Sequence, residues 1–338
     1  MVTNLFPGAS PFLTNVGTGS LLLWVHQDIE KPVMQSTEIS FRWNDGTGWS
    51  SPHLVTDDTR AEFGPIASDD GSGGAVAAWI RSSDSNFDQE PETIDELAPF
   101  FKQMEIVTAR FDPGSQSWTQ PAPLTQNDAF ETDLQLAYDG NGRVWLTWLE
   151  NQAGEMLSTA DAPSRLRYSF WNGSSWSTPA DIVGGLAGVG SHALAASPSD
   201  TFVLVPVDPD LDVEGDERID LYRWTGSGWD HSSVAGGDGT TNRHPSVAFD
   251  AFGFAHVVWI RNGDLVHATL QDPRPSIVRE GTGAGFLDSK LLASPEGHLM
   301  LVFQRETEEG PGDVFALVHD ALTDSWSADR RLTEQSDS

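Results

Sequence analysis

The chain contains no cysteine in 338 residues. That excludes disulfides and thiolate metal sites. Lysine is nearly absent: Lys31, Lys102 and Lys290 are the only three. With 19 Lys and Arg against 50 Asp and Glu, the formal net charge is −31. Such a polyanion repels nucleic acid and anionic membrane surfaces, so neither is expected as a partner. A cation, a basic protein or a neutral glycan is compatible with it. The same Lys-poor, Asp-rich balance resembles that of proteins adapted to high salt. No apolar run approaches the ~18 residues of a membrane span, so membrane insertion is not expected. The opening MVTNLFPGAS lacks a basic patch followed by an apolar stretch, so no signal peptide is read there. The nine His show no transition-metal spacing and read as scattered.

What is abundant is aromatic and turn-forming. The 13 Trp and 17 Phe can fill a large core, and the 32 Gly and 20 Pro suit many short strands joined by turns. These residues are arranged as an internal repeat. Its clearest copy is HPSVAFDAFGFAHVVWIRNGDLVHATL, from His244 to Leu270, echoed by GPIASDDGSGGAVAAWIRS and DLQLAYDGNGRVWLTWLEN. A turn or small residue stands six positions before an anchor: Thr18 and Trp24, Gly73 and Trp79, Gly142 and Trp148, Asp200 and Pro206, Gly253 and Trp259, Gly297 and Phe303. After each anchor comes a second half-motif of strand, Gly/Asp/Asn turn and Trp, as in ISFRWNDGTGWSSP; the fifth copy lacks the Trp. Each copy therefore holds four antiparallel strands, A to D, with the anchor on B and most Trp assigned to the core. Six copies predict an all-β, six-bladed β-propeller forming a single domain over 1–338. Its blades fall at about 8–56, 62–125, 131–183, 190–235, 242–279 and 286–333.

The half-motif at the C–D turn, best seen at Asn44 to Trp49, Asp112 to Trp118 and Asn172 to Trp176, resembles the Asp-box (BNR) repeat of sialidase-like propellers. No copy matches the full Ser-x-Asp-x-Gly-x-x-Trp pattern. The resemblance implies the fold, and implies that these turns are structural and remote from the functional end. It also implies an arginine triad gripping a sugar carboxylate, a role Arg81, Arg261 and Arg305 could imitate. A Tyr nucleophile with Glu and Asp assistance would be needed as well. Tyr138 falls in a strand A, and Tyr168 and Tyr222 in strands C, none clearly at a loop end.

Long, acidic segments all fall at the B–C/D–A end, where function on a rigid scaffold concentrates. Two residues past each anchor stand His26, Arg81, Glu150, Asp208, Arg261 and Arg305; the D–A side adds Asp133, Arg243, His244 and Asp288. These are the candidate ligand-binding residues. Asp208, Asp210, Asp212, Glu214 and Asp216 alternate oxygen donors as calcium loops do, although Val213 and Ile219 stand where an EF-hand needs Gly and Glu. Calcium is the one cofactor this pattern allows. Thr93 to Gln103 has helical spacing of Ile94, Leu97 and Phe101. Glu150, Asp133 and Asp288 could supply a glycosidase carboxylate pair, but among 50 acidic residues such a pair carries little weight. The leading expectation is a non-catalytic recognition module, binding a glycan or protein ligand at the acidic B–C/D–A end. It would be a monomeric module of a larger secreted or cell-surface protein. The alternative is a sialidase-like or other glycoside hydrolase.

Overall fold

The computed structural model describes residues 4–32, 35–83, 99–208, 217–236, 239–272, 274–281, 285–294, 297–307, 310–321 and 323–333. The chain forms six antiparallel sheets and divides into two compact units, Met1–Gly185 and Leu186–Ser338.

In the first unit, one sheet runs β1 (Phe12–Val16), β2 (Gly19–Gln27), β3 (Thr37–Asn44), β4 (His53–Leu54). The next holds β5 (Glu62–Asp69), β6 (Ala75–Ser82) and β7 (Met104–Asp112), with its outer edge split between β8 (Ser117–Trp118) and β9 (Ala122–Pro123). Prolines at 121 and 123 suit this edge position, which needs few ladder donors. The third is β10 (Phe130–Tyr138), β11 (Val144–Asn151), β12 (Ser164–Trp171), β13 (Ala180–Leu186).

The second unit repeats the plan. Its sheets are β14 (Ala193–Ala196), β15 (Thr201–Val207), β16 (Arg218–Trp224), β17 (Trp229–Ala235); then β18 (Asn242–Phe249), β19 (Ala255–Arg261), β20 (Asp264–Thr269), β21 (Ser276–Arg279). The last is β22 (Phe286–Ala293), β23 (Leu299–Thr307) and β24 (Gly310–Asp320), edged by β25 (Ser325–Trp326) and β26 (Arg330–Arg331). Strand order follows chain order in every sheet, as the repeat predicts.

The second strand of each sheet carries the core. Trp24, Trp79, Trp148, Trp259 and Phe303 are at most 1% exposed. Within each unit, an anchor packs on the sheet before its own. Trp79 shares a buried cluster with Leu23, Phe41 and Trp43, and Trp148 shares one with Ala78 and Ile106. Trp259 shares one with Leu204 and Ile219, and Phe303 with Val258 and Leu265. The strand is thus buried on both faces, which is why its apolar run is nearly continuous rather than alternating. The turn Trp are less buried, and Trp49 is 40% exposed.

Two local devices recur. At the A–B turns, Asp70, Asp139 and Asp250 each accept from the backbone N–H groups two and four residues on. Such side-chain acceptors replace missing ladder bonds at a tight turn. The second is a latch between successive sheets. Thr125 Oγ1 accepts from Ile106 N (2.8 Å) and donates to Glu131 (2.6 Å). Thr56 does the same between Ile39 N and Glu62. The spacing Thr-x5-Glu is visible in both copies.

Candidate functional site

A β-bulge shapes the B–C/D–A end of three sheets. In β5, β10 and β18, two residues oppose one on the neighbouring strand: Gly64 and Pro65, Asp133 and Leu134, His244 and Pro245. Register places each pair across from an anchor Trp: Trp79, Trp148 and Trp259 respectively. The first bulged residue takes a left-handed φ, +60° at Gly64, +51° at Asp133 and +53° at His244. Glycine adopts this freely; Asp tolerates it and His adopts it less readily. Bulges re-aim side chains beside functional sites, and the strain at Asp133 and His244 is local backbone energy spent on orientation.

In the second unit, this bulge borders a cavity of about 450 Å³. Gly188, Gly190, Ser191, Asp208, Glu217, Asn242, Arg243 and His244 line it. Arg243 grips Glu217 Oε1 through Nη2 (2.5 Å) and Nε (3.1 Å). Asn242 is fully buried: it donates to the Glu217 carbonyl (2.9 Å) and accepts from Trp259 Nε1 (3.0 Å). The anchor Trp therefore positions the cavity floor. His244 is half-exposed, its Nδ1 3.8 Å from Asp288 Oδ1, too far for a direct hydrogen bond.

The structure thus brings Asp208 and His244 to one cavity, with Asp288 beside it. Arg261 lines a separate cavity of about 500 Å³, and Asn242 belongs to both walls. The other candidate residues sit differently. Arg81 is buried and ion-paired to Asp58 and Glu62, although it reaches a cavity of about 330 Å³ in the first unit. Glu150 is buried against Arg167 Nη1 (2.5 Å). Arg305 pairs with Asp329, which also holds Arg279 Nε at 2.6 Å, and lies 4.5 Å from the Phe315 ring centroid. His26 pairs across strands with Glu38, whose carboxylate takes Lys31 Nζ at 2.6 Å. Asp133 borders a cavity of about 400 Å³ in the first unit. Position in the repeat identified strand ends correctly, but a strand end is not a free charge. Of the six residues two past the anchors, His26, Arg81, Glu150 and Arg305 lie beside or within ion pairs formed locally.

Of the calcium pattern, Asp208 is described; Asp210, Asp212, Glu214 and Asp216 lie outside the described residues. Thr93 to Glu96 and Leu97 to Ala98 lie outside them too, while residues 99–101 form a helical turn.

One expectation is overturned. The His are not all scattered: His256, His267 and His319 converge in the second unit, all three buried. The signal was present in the hairpin register. Asn262-Gly263 closes β19 on β20, pairing Val258 with His267 and making His256 its diagonal neighbour on the same face. His319 arrives from the next sheet, which no local spacing reveals.

No protein-family model matches the chain, and no curated protein matches it in sequence. Solved structures do match. A protein of unknown function from Dyadobacter fermentans is 12% identical, with 91% of this chain and 93% of that one covered and a TM-score of 0.57. Trypanosoma rangeli sialidase is also 12% identical, with 93% of this chain aligned and a TM-score of 0.51; this chain spans only 54% of the sialidase. A mutant of AofleA from Arthrobotrys oligospora is 11% identical, with coverages of 95% and 85% and a TM-score of 0.51. At such identity the likeness is one of fold alone, and it supports a sialidase-like propeller fold.

Proposed function

We propose that the six sheets are blades of a β-propeller and that the chain is a non-catalytic recognition module. It binds a glycan in the cavity bounded by Asp208, Arg243 and His244. The observation that carries this reading is the strained bulge at half-exposed His244, which sits on the wall of a cavity lined by fixed polar groups. A volume of about 450 Å³ lies within the range of small-ligand sites. The Arg243–Glu217 pair and Asp208 offer planar donors and acceptors, the chemistry that orients sugar hydroxyls. The C–D turns at Asn44, Asp112 and Asn172 are degenerate Asp boxes: each side chain accepts from a backbone N–H two residues on.

A sialidase reading has less support. Its nucleophile would be a Tyr made easier to ionise, whereas burial and the nearby Asp220 push Tyr222 up to about 12. Tyr168 packs on Trp145 inside its sheet.

The test is a glycan array followed by calorimetry on hits, with fluorogenic sialosides assayed alongside. Binding without turnover is expected. His244→Gly, which relieves backbone strain while removing the ring, and Asp208→Asn should each weaken binding about tenfold or more. Binding indifferent to both substitutions would sink this assignment. Sialoside turnover abolished by Arg261→Ala would replace it with a hydrolase.

A further inference from the structure

The buried histidines lie at the opposite, A–B/C–D end of the second unit. His256 is on β19, His267 on β20 and His319 on β24, all about 3–5% exposed. One ring nitrogen of each lies within 4.8 Å of the other two. His256 Nδ1 is 2.8 Å from His267 Nε2. The remaining nitrogens are not equivalent. His256 Nε2 faces Asp250 Oδ2 at 3.2 Å, and His319 Nε2 faces Asp324 Oδ1 at 3.0 Å. A carboxylate accepts, so each of these Nε2 atoms carries the proton and each Nδ1 is left with a lone pair. His319 Nδ1 is buried and has no hydrogen-bond partner among the described residues. Trp326 covers the group, its ring 4.9 Å from that of His319 and 5.4 Å from that of His267.

We propose that His256, His267 and His319 form a binding site for a zinc-class divalent cation that joins the fifth and sixth sheets. The donors are His256 Nδ1, His267 Nε2 and His319 Nδ1; Asp250 and Asp324 are the outer carboxylates that orient two of the imidazoles. A carboxylate behind a ligating His is the usual support of such sites. Three neutral imidazoles select zinc or a similar transition ion over calcium, which takes oxygen donors. A tetrahedral site with metal–nitrogen bonds of about 2.05 Å needs donor separations of about 3.4 Å. The 2.8 Å pair must open by roughly half an ångström and His319 must close in, movements within reach of side-chain rotation. The proton balance is simple. His256 Nδ1 accepts from His267 Nε2–H in the ion-free arrangement, so metal binding transfers that proton to His267 Nδ1 and releases none. Water or a small anion completes the tetrahedron.

The competing account is an aromatic and hydrogen-bonded stack that holds no ion. Tag-free, chelator-treated protein titrated with zinc distinguishes the two, with excess calcium present to occupy the acidic surface. One equivalent bound at micromolar affinity or tighter, with a raised Tm, is expected. His319→Gln should weaken binding by more than about 100-fold, and Asp324→Asn by about 10–100-fold. Cobalt(II) in the unaltered protein should give the intense visible bands of a four-coordinate nitrogen site. Should a substituted chain fail to fold, the cobalt spectrum decides. Absence of stoichiometric binding, a weak six-coordinate cobalt spectrum, or zinc affinity unchanged in folded His319→Gln overturns the proposal.

Discussion

Glu131 shows how much a single buried side chain can demand of its surroundings. Its Oε2 accepts from Ile106 N (3.0 Å) and Thr125 Oγ1 (2.6 Å), and its Oε1 from Asn127 Nδ2 (3.0 Å). Burial nevertheless outweighs these donors and, with the Glu105 and Glu150 charges nearby, lifts its pKa to about 7. The sign follows from linkage. Below the unfolded value near 4.5 both states are protonated and nothing is lost. As pH rises from there to about 7, the unfolded chain ionises first, and this residue's contribution to stability falls by ~3 kcal/mol. Glu131→Gln keeps an acceptor and removes the titration. Urea unfolding of parent and variant should agree near pH 4 and diverge in the variant's favour by pH 8. Parallel curves across that range would show that Glu131 ionises normally in the fold.

The recurring elements do their work through position rather than composition. Asp139 directly follows strand β10, is buried, and accepts from Asn141 N (2.7 Å) and Arg143 N (3.1 Å). Asp139→Ala leaves two turn donors without that acceptor and is expected to cost about 1–3 kcal/mol by urea denaturation. Asp139→Asn retains the amide oxygen and should cost less. Equal stability of all three chains would mean that water serves the turn as well as the carboxylate does. The bulge carries a different lesson. Gly64, Asp133 and His244 occupy one structural position, yet only Gly64 advertises a left-handed φ in its residue type. Asp133 and His244 were legible as strand-A residues near a loop end, but the extra residue opposite each Trp was not.

At the scale of the whole molecule, the dominant fact is a charge of −31 on 338 residues. Many of the few cations are already engaged: Arg81, Arg110, Arg167, Arg243, Arg279 and Arg305 all hold carboxylates. The surplus anions repel one another over distances that salt screens, about 10 Å at 0.1 M and 3 Å at 1 M ionic strength. Tm is therefore expected to rise between low salt and about 1 M sodium chloride, as measured by scanning fluorimetry at constant pH. A falling Tm would mean that screening of the ion pairs outweighs relief of the repulsion.

Sequence alone determined the all-β class, six four-stranded copies, the anchors Trp24, Trp79, Trp148 and Trp259, and the assignment of Tyr138, Tyr168 and Tyr222 to strands. These follow from period-two strands, turn chemistry and a repeat, all properties of residues close in the chain. Tertiary structure decided which strand-end charges are free. Arg81 and Glu150 are consumed by Glu62 and Arg167, partners whose approach depends on sheet register and packing. It also decided that His319 joins His256 and His267, because 52 residues separate His267 from His319 and only the packing of two sheets closes that distance. The turn end of the sheets, structurally plain in the repeat, thereby gathers three buried imidazoles, the grouping from which the zinc proposal starts.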